Sequence, residues 1–170
     1  MMQDDKYREA MDKALRYLGF RARSRMELRQ YLARKDYEEA VIDEVLERLQ
    51  DYGYVNDAQF ARSMASSQSN FKRKGSRVVE QKLYQAGVDK ETAQMALEEI
   101  DEEQELENAR YWAAKIGPAL AGEEPQKRRQ KMFRRLSSKG FSYDVVSRAC
   151  REWESLADSE ESFDGNLDEG

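Results

Sequence analysis

The sequence lacks several residue types on which catalytic and metal sites depend. It contains no histidine, one cysteine and two prolines among 170 residues. Without histidine there is no imidazole base and no histidine-containing metal site, and a single cysteine excludes an internal disulfide. A phosphate-binding loop of the GxxxxGKS or GxxxxGKT type is also missing. We therefore expect no catalytic residues, no metal and no cofactor, and a protein that acts by binding rather than as an enzyme.

Long apolar segments are missing as well. No run of about 18 apolar residues exists that would span a membrane, and the N-terminal Met-Met-Gln-Asp-Asp-Lys lacks the apolar segment of a signal peptide. These features predict a cytoplasmic protein without membrane contact. Charged residues make up 37% of the chain and the mean hydropathy is -0.97, which favours a thin core of stacked helices. With so few prolines and no alternating strand pattern, we predict an all-α fold.

What the sequence does contain is a threefold repeat with a period of about 50 residues. Residues 23–49, 74–100 and 127–153 align without gaps, and their apolar residues share seven columns: Leu28/Val79/Met132, Leu32/Leu83/Leu136, Tyr37/Val88/Phe141, Ile42/Ala93/Val146, Val45/Ala96/Ala149, Leu46/Leu97/Cys150 and Leu49/Ile100/Trp153. Such a period is typical of tandem copies of one supersecondary unit, each too small to bury its apolar face alone. We predict three stacked three-helix repeats over residues 1–55, 56–103 and 104–156.

Local signals mark where helices begin and end in each repeat. Ser24 and Glu27 form a capping-box sequence at the start of the first middle helix, and Ser76 and Asp89 are predicted caps in the second repeat. Between the apolar columns, Asp36, Gly87 and Gly140 share one position. Because an apolar residue follows each of them, we predict a left-handed helix cap with positive φ at all three.

Lysines and arginines gather at three points that we place at a similar phase of the repeat, in the loop and first turns leading into the middle helix. The clusters are Arg21, Arg23 and Arg25; Lys72, Arg73, Lys74 and Arg77; and Lys127, Arg128, Arg129, Lys131, Arg134 and Arg135. A helix N-terminus exposes unpaired amides and a partial positive charge, so bases placed there favour phosphate or carboxylate. The alternative is a solvated helix end with ordinary surface bases. Their recurrence favours a partner- or DNA-binding track.

Acidic residues dominate the C-terminus. The net charge of the chain is -5, and residues 157–170 contain six acids and no base, which leaves 28 acids and 29 bases elsewhere. This segment has few large apolar groups, and we predict that it is a disordered acidic tail. Two roles stay open for it: a weak competitor that shields the basic track from non-specific DNA, or a solubilising tail.

Three segments resemble a known family. They are Arg23–Leu32, Leu49–Ala61 with its Asp-Tyr-Gly-Tyr-Val-Asn-Asp core, and Lys74–Arg77 followed by Leu83 and Ala86-Gly87-Val88. They are similar to the RecX family, the regulatory proteins of the bacterial RecA recombinase. The resemblance covers roughly residues 10–155. It implies three tandem three-helix repeats in an elongated, curved array.

The resemblance also implies a function. A RecX-like chain is expected to bind the RecA–DNA filament, to inhibit its ATPase and strand exchange, and to have weak affinity of its own for single- or double-stranded DNA. That places it in DNA recombination, DNA repair and the SOS response, and we expect a monomer. A stand-alone DNA-binding module with helix-turn-helix-like units is the alternative. A helical adaptor without nucleic-acid contact is a third class.

Overall fold

The computed structural model describes residues 2–164, and all regular structure in that range is helical. The helices are α1 (Met2–Leu18), α2 (Arg25–Ala33), α3 (Glu39–Asp51), α4 (Asp57–Ser66), α5 (Ser76–Gln85), α6 (Lys90–Glu98), α7 (Glu102–Leu120), α8 (Pro125–Ser138) and α9 (Tyr143–Asp164); α4 continues into a π-helical stretch, Ser67–Phe71. The all-α class and the tandem three-helix repeats are confirmed. None of the helices within residues 2–164 combines the length and apolar character needed to cross a bilayer.

The chain divides into two compact units whose limits differ from the repeat limits. Of the described residues, the first unit contains those up to Met64 and Glu80–Glu99, and the second contains Ala65–Val79 and those from Ile100 to Asp164. The second repeat is therefore shared between the units. In the first unit, α1, α2 and α3 enclose one core: Ala10, Ala14, Leu28, Leu32, Val41, Ile42, Val45, Leu46, Leu49 and Val55. In the second, α7, α8 and α9 enclose another: Leu106, Ala109, Ala113, Ile116, Leu120, Met132, Leu136, Phe141, Val146, Ala149 and Cys150.

In the first unit, the N-terminus of α2 is satisfied by groups of the following repeat. Ser24 caps α2 through the predicted capping box with Glu27, and its hydroxyl also donates to the Ala86 carbonyl at 2.5 Å. The Arg25 amide donates to the Asp57 carboxylate at 2.8 Å. Free amides at a helix start must find a partner. Here that requirement ties two repeats together.

The second unit repeats the arrangement at the start of α5. The Gly75 amide donates to the Lys139 carbonyl at 2.9 Å, and the Ser76 amide donates to the Glu105 carboxylate at 2.7 Å. Ser76 is thus the first helical residue, not the cap that the sequence predicted. The change follows from Glu105, a buried carboxylate of α7 that takes over the capping role.

The predicted positive φ is present at all three aligned positions: 62° at Asp36, 72° at Gly87 and 92° at Gly140. The two glycines have a second role, because the preceding repeat packs against them. A Cβ on Gly87 would lie 2.5 Å from the Cβ of Met26, and one on Gly140 would lie 2.8 Å from the Val78 amide nitrogen. Asp36 is exposed, so a short polar side chain is accommodated at that position.

The structure differs from the sequence prediction at residues 157–164, which it places in α9. Extending a helix that already exists avoids the cost of nucleation. The ion pair between Arg128 of α8 and Glu161 also favours the extension. The sequence argument counted apolar groups alone and missed both effects. Residues 165–170 of the predicted tail lie outside the described residues.

Replacing Gly87 with alanine should destabilise the first unit more than the same change at Gly53. Both glycines have a similar φ, 72° and 78°, but no atom lies within 4 Å of a Cβ built on Gly53. Gly53→Ala should cost about 1 kcal/mol from the left-handed backbone alone. Gly87→Ala should cost about 1–3 kcal/mol more from overpacking. Urea denaturation of the two variants measures the difference in their free energy of unfolding. Equal losses would show that the Met26 side chain moves aside without strain.

The Cys150 thiol should be unreactive in the native protein. Cys150 is 5% exposed in the core of the second unit, and burial raises the pKa of its thiol to about 11. Because the thiolate is the reactive form, modification at pH 8 should be slow until the protein unfolds. The rate of reaction with a chromogenic disulfide reagent, with and without denaturant, tests this. A native rate equal to the unfolded rate would contradict the burial.

Candidate partner-binding surface

Three side chains on one face of α7 hold the segment that carries the second basic cluster. The fully buried Asn108 donates its amide to the Ser69 carbonyl at 2.9 Å. One turn along, the Trp112 indole donates to the Arg73 carbonyl at 2.8 Å. The Glu105 carboxylate accepts a hydrogen bond from the Ser76 amide. Together the three side chains fix residues 69–76 at their beginning, middle and end. Arg73 is held at φ 52°, a conformation that non-glycine residues seldom adopt.

Four bases surround the two aromatic rings at this point. The Lys139 ammonium lies 3.8 Å from the Trp112 ring centroid, with Lys74 at 5.6 Å and Lys115 at 5.9 Å. The Arg73 guanidinium lies 4.1 Å from the Tyr111 ring centroid. We call these six residues the Trp112 cluster: Arg73, Lys74, Tyr111, Trp112, Lys115 and Lys139.

The Trp112 cluster contains four basic side chains and no acidic one. Within residues 2–164, no carboxylate forms an ion pair with any of its four bases. Burial, and then the neighbouring Lys74 charge, lower the pKa of Lys139. A hydrogen bond with Lys115 lowers the pKa of Tyr111. Aromatic faces attract cations only weakly at exposed sites, so the arrangement favours an external anion.

The first basic cluster is largely satisfied within the protein. Arg21 pairs with the capping-box carboxylate of Glu27 at 2.7 Å, and Arg25 donates to the Gln50 side-chain oxygen at 2.8 Å. The Arg23 guanidinium lies over the Tyr17 ring, 3.9 Å from its centroid. These three side chains do not converge on a common open site. To bind a partner, Arg21 and Arg25 would have to exchange internal contacts for external ones.

The third basic cluster lies entirely within α8, up to its last turn, rather than leading into the helix as the sequence suggested. Because α8 starts at Pro125, four residues earlier than the aligned helix start in the second repeat, the whole cluster becomes helical. Arg128, Arg129 and Lys131 pair with Glu161, Glu154 and Glu123. Lys127, Arg134 and Arg135 are exposed, as are Lys72 and Arg77 of the second cluster.

Sequence reasoning predicted only Arg73 and Lys74 of the Trp112 cluster. The other four members, Tyr111, Trp112, Lys115 and Lys139, lie outside the three predicted basic clusters, and the two aromatic side chains are half-buried. One signal was available for Lys139, which directly precedes the helix-ending Gly140. The aligned residues are Lys35 in the first repeat and Ala86 in the second, so the first and third repeats have a base at this position and the second does not.

Comparisons with known proteins agree on one family. Models of the first, second and third three-helix domains of RecX match residues 10–49, 56–97 and 102–150 in that order. A regulatory protein RecX from Listeria welshimeri is 35% identical over 150 residues, which are 88% of this chain and 56% of that protein. One from Clostridioides difficile is 32% identical over 148 residues, which are 87% of this chain and 69% of that protein. This chain thus spans little more than half of the Listeria relative.

Solved structures give the same result. A crystal structure of RecX from Lactobacillus salivarius superimposes with a TM-score of 0.83 at 27% identity, over 89% of this chain and 98% of that one. A second crystal structure of a regulatory protein RecX gives a TM-score of 0.79 at 25% identity, over 86% of this chain and 72% of that one. The helical arrangement described above is therefore found in experimentally determined relatives.

Removing the acidic partners of α8 should strengthen polyanion binding. In a Glu154→Gln, Glu161→Gln variant, Arg128 and Arg129 lose their intramolecular partners and become available to an external anion. A matched control is Asp158→Asn with Glu160→Gln, which removes the same charge from exposed positions of α9. The salt concentration needed to elute each variant from heparin measures the effect. Equal shifts in both variants would show that net charge alone matters.

Proposed function

Because the chain belongs to the RecX family, we propose that it regulates the RecA recombinase by binding the RecA–DNA filament and restraining its ATPase and strand exchange. The observation that carries the proposal is the ordered match to all three RecX domains. The unpaired bases of the second unit support it, because a nucleoprotein filament presents both DNA phosphate and acidic protein surface. We extend the proposal to a cytoplasmic, monomeric regulator in DNA recombination and repair.

Regulation would follow from many weak contacts distributed along the chain. If separate repeats contact neighbouring RecA subunits, the protein resists the subunit motions that ATP turnover requires. Among the predicted bases, the most available are those of the second and third clusters that form no ion pair within residues 2–164: Lys72, Arg73, Lys74, Arg77, Lys127, Arg134 and Arg135. Arg21, Arg128, Arg129 and Lys131 contribute only after exchanging ion pairs. Binding of this kind weakens steeply with salt.

The stand-alone DNA-binding module is the weaker alternative. A helix-turn-helix protein places the N-terminal residues of its recognition helix against base edges. Here the amides that begin α2 and α5 are occupied by Asp57 and Glu105, and the start of each helix is engaged in a junction between repeats. This arrangement favours backbone and protein contacts over base reading.

One comparison separates the three classes of function. Binding is measured to bare DNA, to free RecA and to the assembled filament under identical salt. A filament regulator binds the filament more tightly than either component. A DNA-binding module binds bare DNA as well as the filament, and an adaptor binds RecA with no dependence on DNA.

Reversing exposed charges on α8 should weaken inhibition of the RecA ATPase. The full variant changes Arg128, Arg129, Arg134 and Arg135 to glutamate, and the double variant Arg134→Glu, Arg135→Glu should retain most of its effect, because the other two arginines are already paired. The ATPase rate of RecA on single-stranded DNA, titrated with each variant over a range of salt, measures inhibition. The salt slope of any direct DNA binding should fall by about one unit for each phosphate that a variant no longer neutralises.

The matched control reverses two exposed arginines of α1, Arg8→Glu with Arg16→Glu, and changes the net charge equally to the double variant. Circular dichroism confirms that helical content is kept. If the α8 variants inhibit as well as the unaltered protein at every salt concentration, the third cluster is solvated surface.

A further inference from the structure

We propose that the Trp112 cluster is a phosphate-binding site for single-stranded nucleic acid, in which Lys74, Lys115 and Lys139 hold backbone phosphates and the nearby Phe71 ring stacks on a base. The inference rests on the proposed function in one respect, because it names a ligand for one part of the surface that would contact the RecA–DNA filament. Two of the three lysines lie outside the basic clusters recognised in the sequence.

The first argument is that no carboxylate within residues 2–164 forms an ion pair with the three lysines. The bases of the first and third clusters are mostly paired with carboxylates or an amide oxygen. Lys74, Lys115 and Lys139 instead share the Trp112 ring, at 5.6, 5.9 and 3.8 Å from its centroid. Bringing like charges together costs free energy, and a bound phosphate would recover it.

The second argument is that the site is preorganised. The backbone of Lys139 is tied to Gly75 by the hydrogen bond at the start of α5, and the Trp112 indole holds the Arg73 carbonyl. Lys74 lies between Arg73 and Gly75 in the chain. Its own amide donates to the Gln68 carbonyl at 2.8 Å. Unusual backbone conformations such as that of Arg73 persist where the surrounding structure enforces them, often at binding sites.

The third argument concerns the kind of anion. Phe71 is 83% exposed and lies at the end of the π-helical stretch, two residues before Arg73. Phe71 directly precedes Lys72, Arg73 and Lys74 in the chain. Single-strand binding proteins combine exposed aromatic rings, on which nucleobases stack, with basic side chains that hold phosphates. A paired duplex offers no free base face to Phe71, and the carboxylates of an acidic peptide have no ring to stack on it. An exposed ring next to these bases in the chain therefore favours an unpaired strand.

The test uses the full chain and a fluorescently labelled oligo(dT) of twenty nucleotides, followed by anisotropy. The variant Lys74→Gln, Lys139→Gln should bind on the order of tenfold more weakly at 0.1 M salt, and its salt slope should fall by about 0.7 for each lysine. The control Lys35→Gln, Lys90→Gln removes the same charge from exposed positions and should change binding far less. Equal losses in both variants, or none in the first, would overturn the site.

A second pair of variants tests the aromatic contact without touching the fold. Phe71→Ala should weaken oligo(dT) binding, whereas Tyr84→Ala, at a side chain that is 82% exposed, should not. Poly-glutamate and a hairpin duplex of equal charge serve as competitors. If either displaces the oligo(dT) as effectively as unlabelled oligo(dT) does, the assignment to single-stranded nucleic acid is wrong.

The RecA ATPase assay, run on the same variants, distinguishes this inference from the proposed function. Loss of oligo(dT) binding with unchanged inhibition would support the site and separate it from regulation. Intact oligo(dT) binding by a protein that never affects RecA would leave the site standing and refute the proposed function. Unaltered oligo(dT) binding in Lys74→Gln, Lys139→Gln refutes the site whatever the ATPase result.

Discussion

The hydrogen bonds at the start of the first two middle helices, α2 and α5, hold successive repeats together. A helix begins with amides that its own turns cannot satisfy, and leaving them buried without partners is costly. In both units the partners come from the next repeat: the Asp57 carboxylate for Arg25, and the Glu105 carboxylate for Ser76. Since the first and second repeats each need a carboxylate of the following repeat to complete their backbone hydrogen bonding, neither of them is an independent domain.

The same junction explains the glycines at the helix ends. A carbonyl just before Gly87 or Gly140 must reach the start of the preceding repeat's middle helix, as Ala86 does for Ser24 and Lys139 does for Gly75. That approach brings the glycine within contact of Met26 or Val78 and leaves no room for a Cβ. At Gly87 and Gly140 two demands, left-handed backbone and close packing, therefore select the same residue, whereas at Asp36 and Gly53 the left-handed backbone is the demand that acts.

The junctions between repeats in the two units also differ in their charge. In the first unit the carbonyl partner belongs to Ala86, and Arg23 lies over a tyrosine ring. In the second unit the aligned residue is Lys139, which lies beside Lys74 and over Trp112. Together with Lys74 and Lys115, Lys139 concentrates positive charge around the Trp112 ring at this junction. Repeats with one backbone plan thereby acquire different surfaces.

The class of fold and the left-handed caps can be predicted from the sequence because each depends on residues only a few positions apart. The repeat and its apolar columns can be predicted because one local pattern recurs about every 50 residues. Which bases lack an ion-pair partner depends instead on the tertiary structure. Glu161 neutralises Arg128, and Lys115 and Lys139 meet Lys74, across separations of about 30 to 65 residues. Charges attract or repel according to their distance in space, and only the packing of α7, α8 and α9 sets those distances. The third cluster has the most bases along the chain, but three of its six bases are paired with carboxylates, whereas within residues 2–164 the bases of the second cluster form no ion pair.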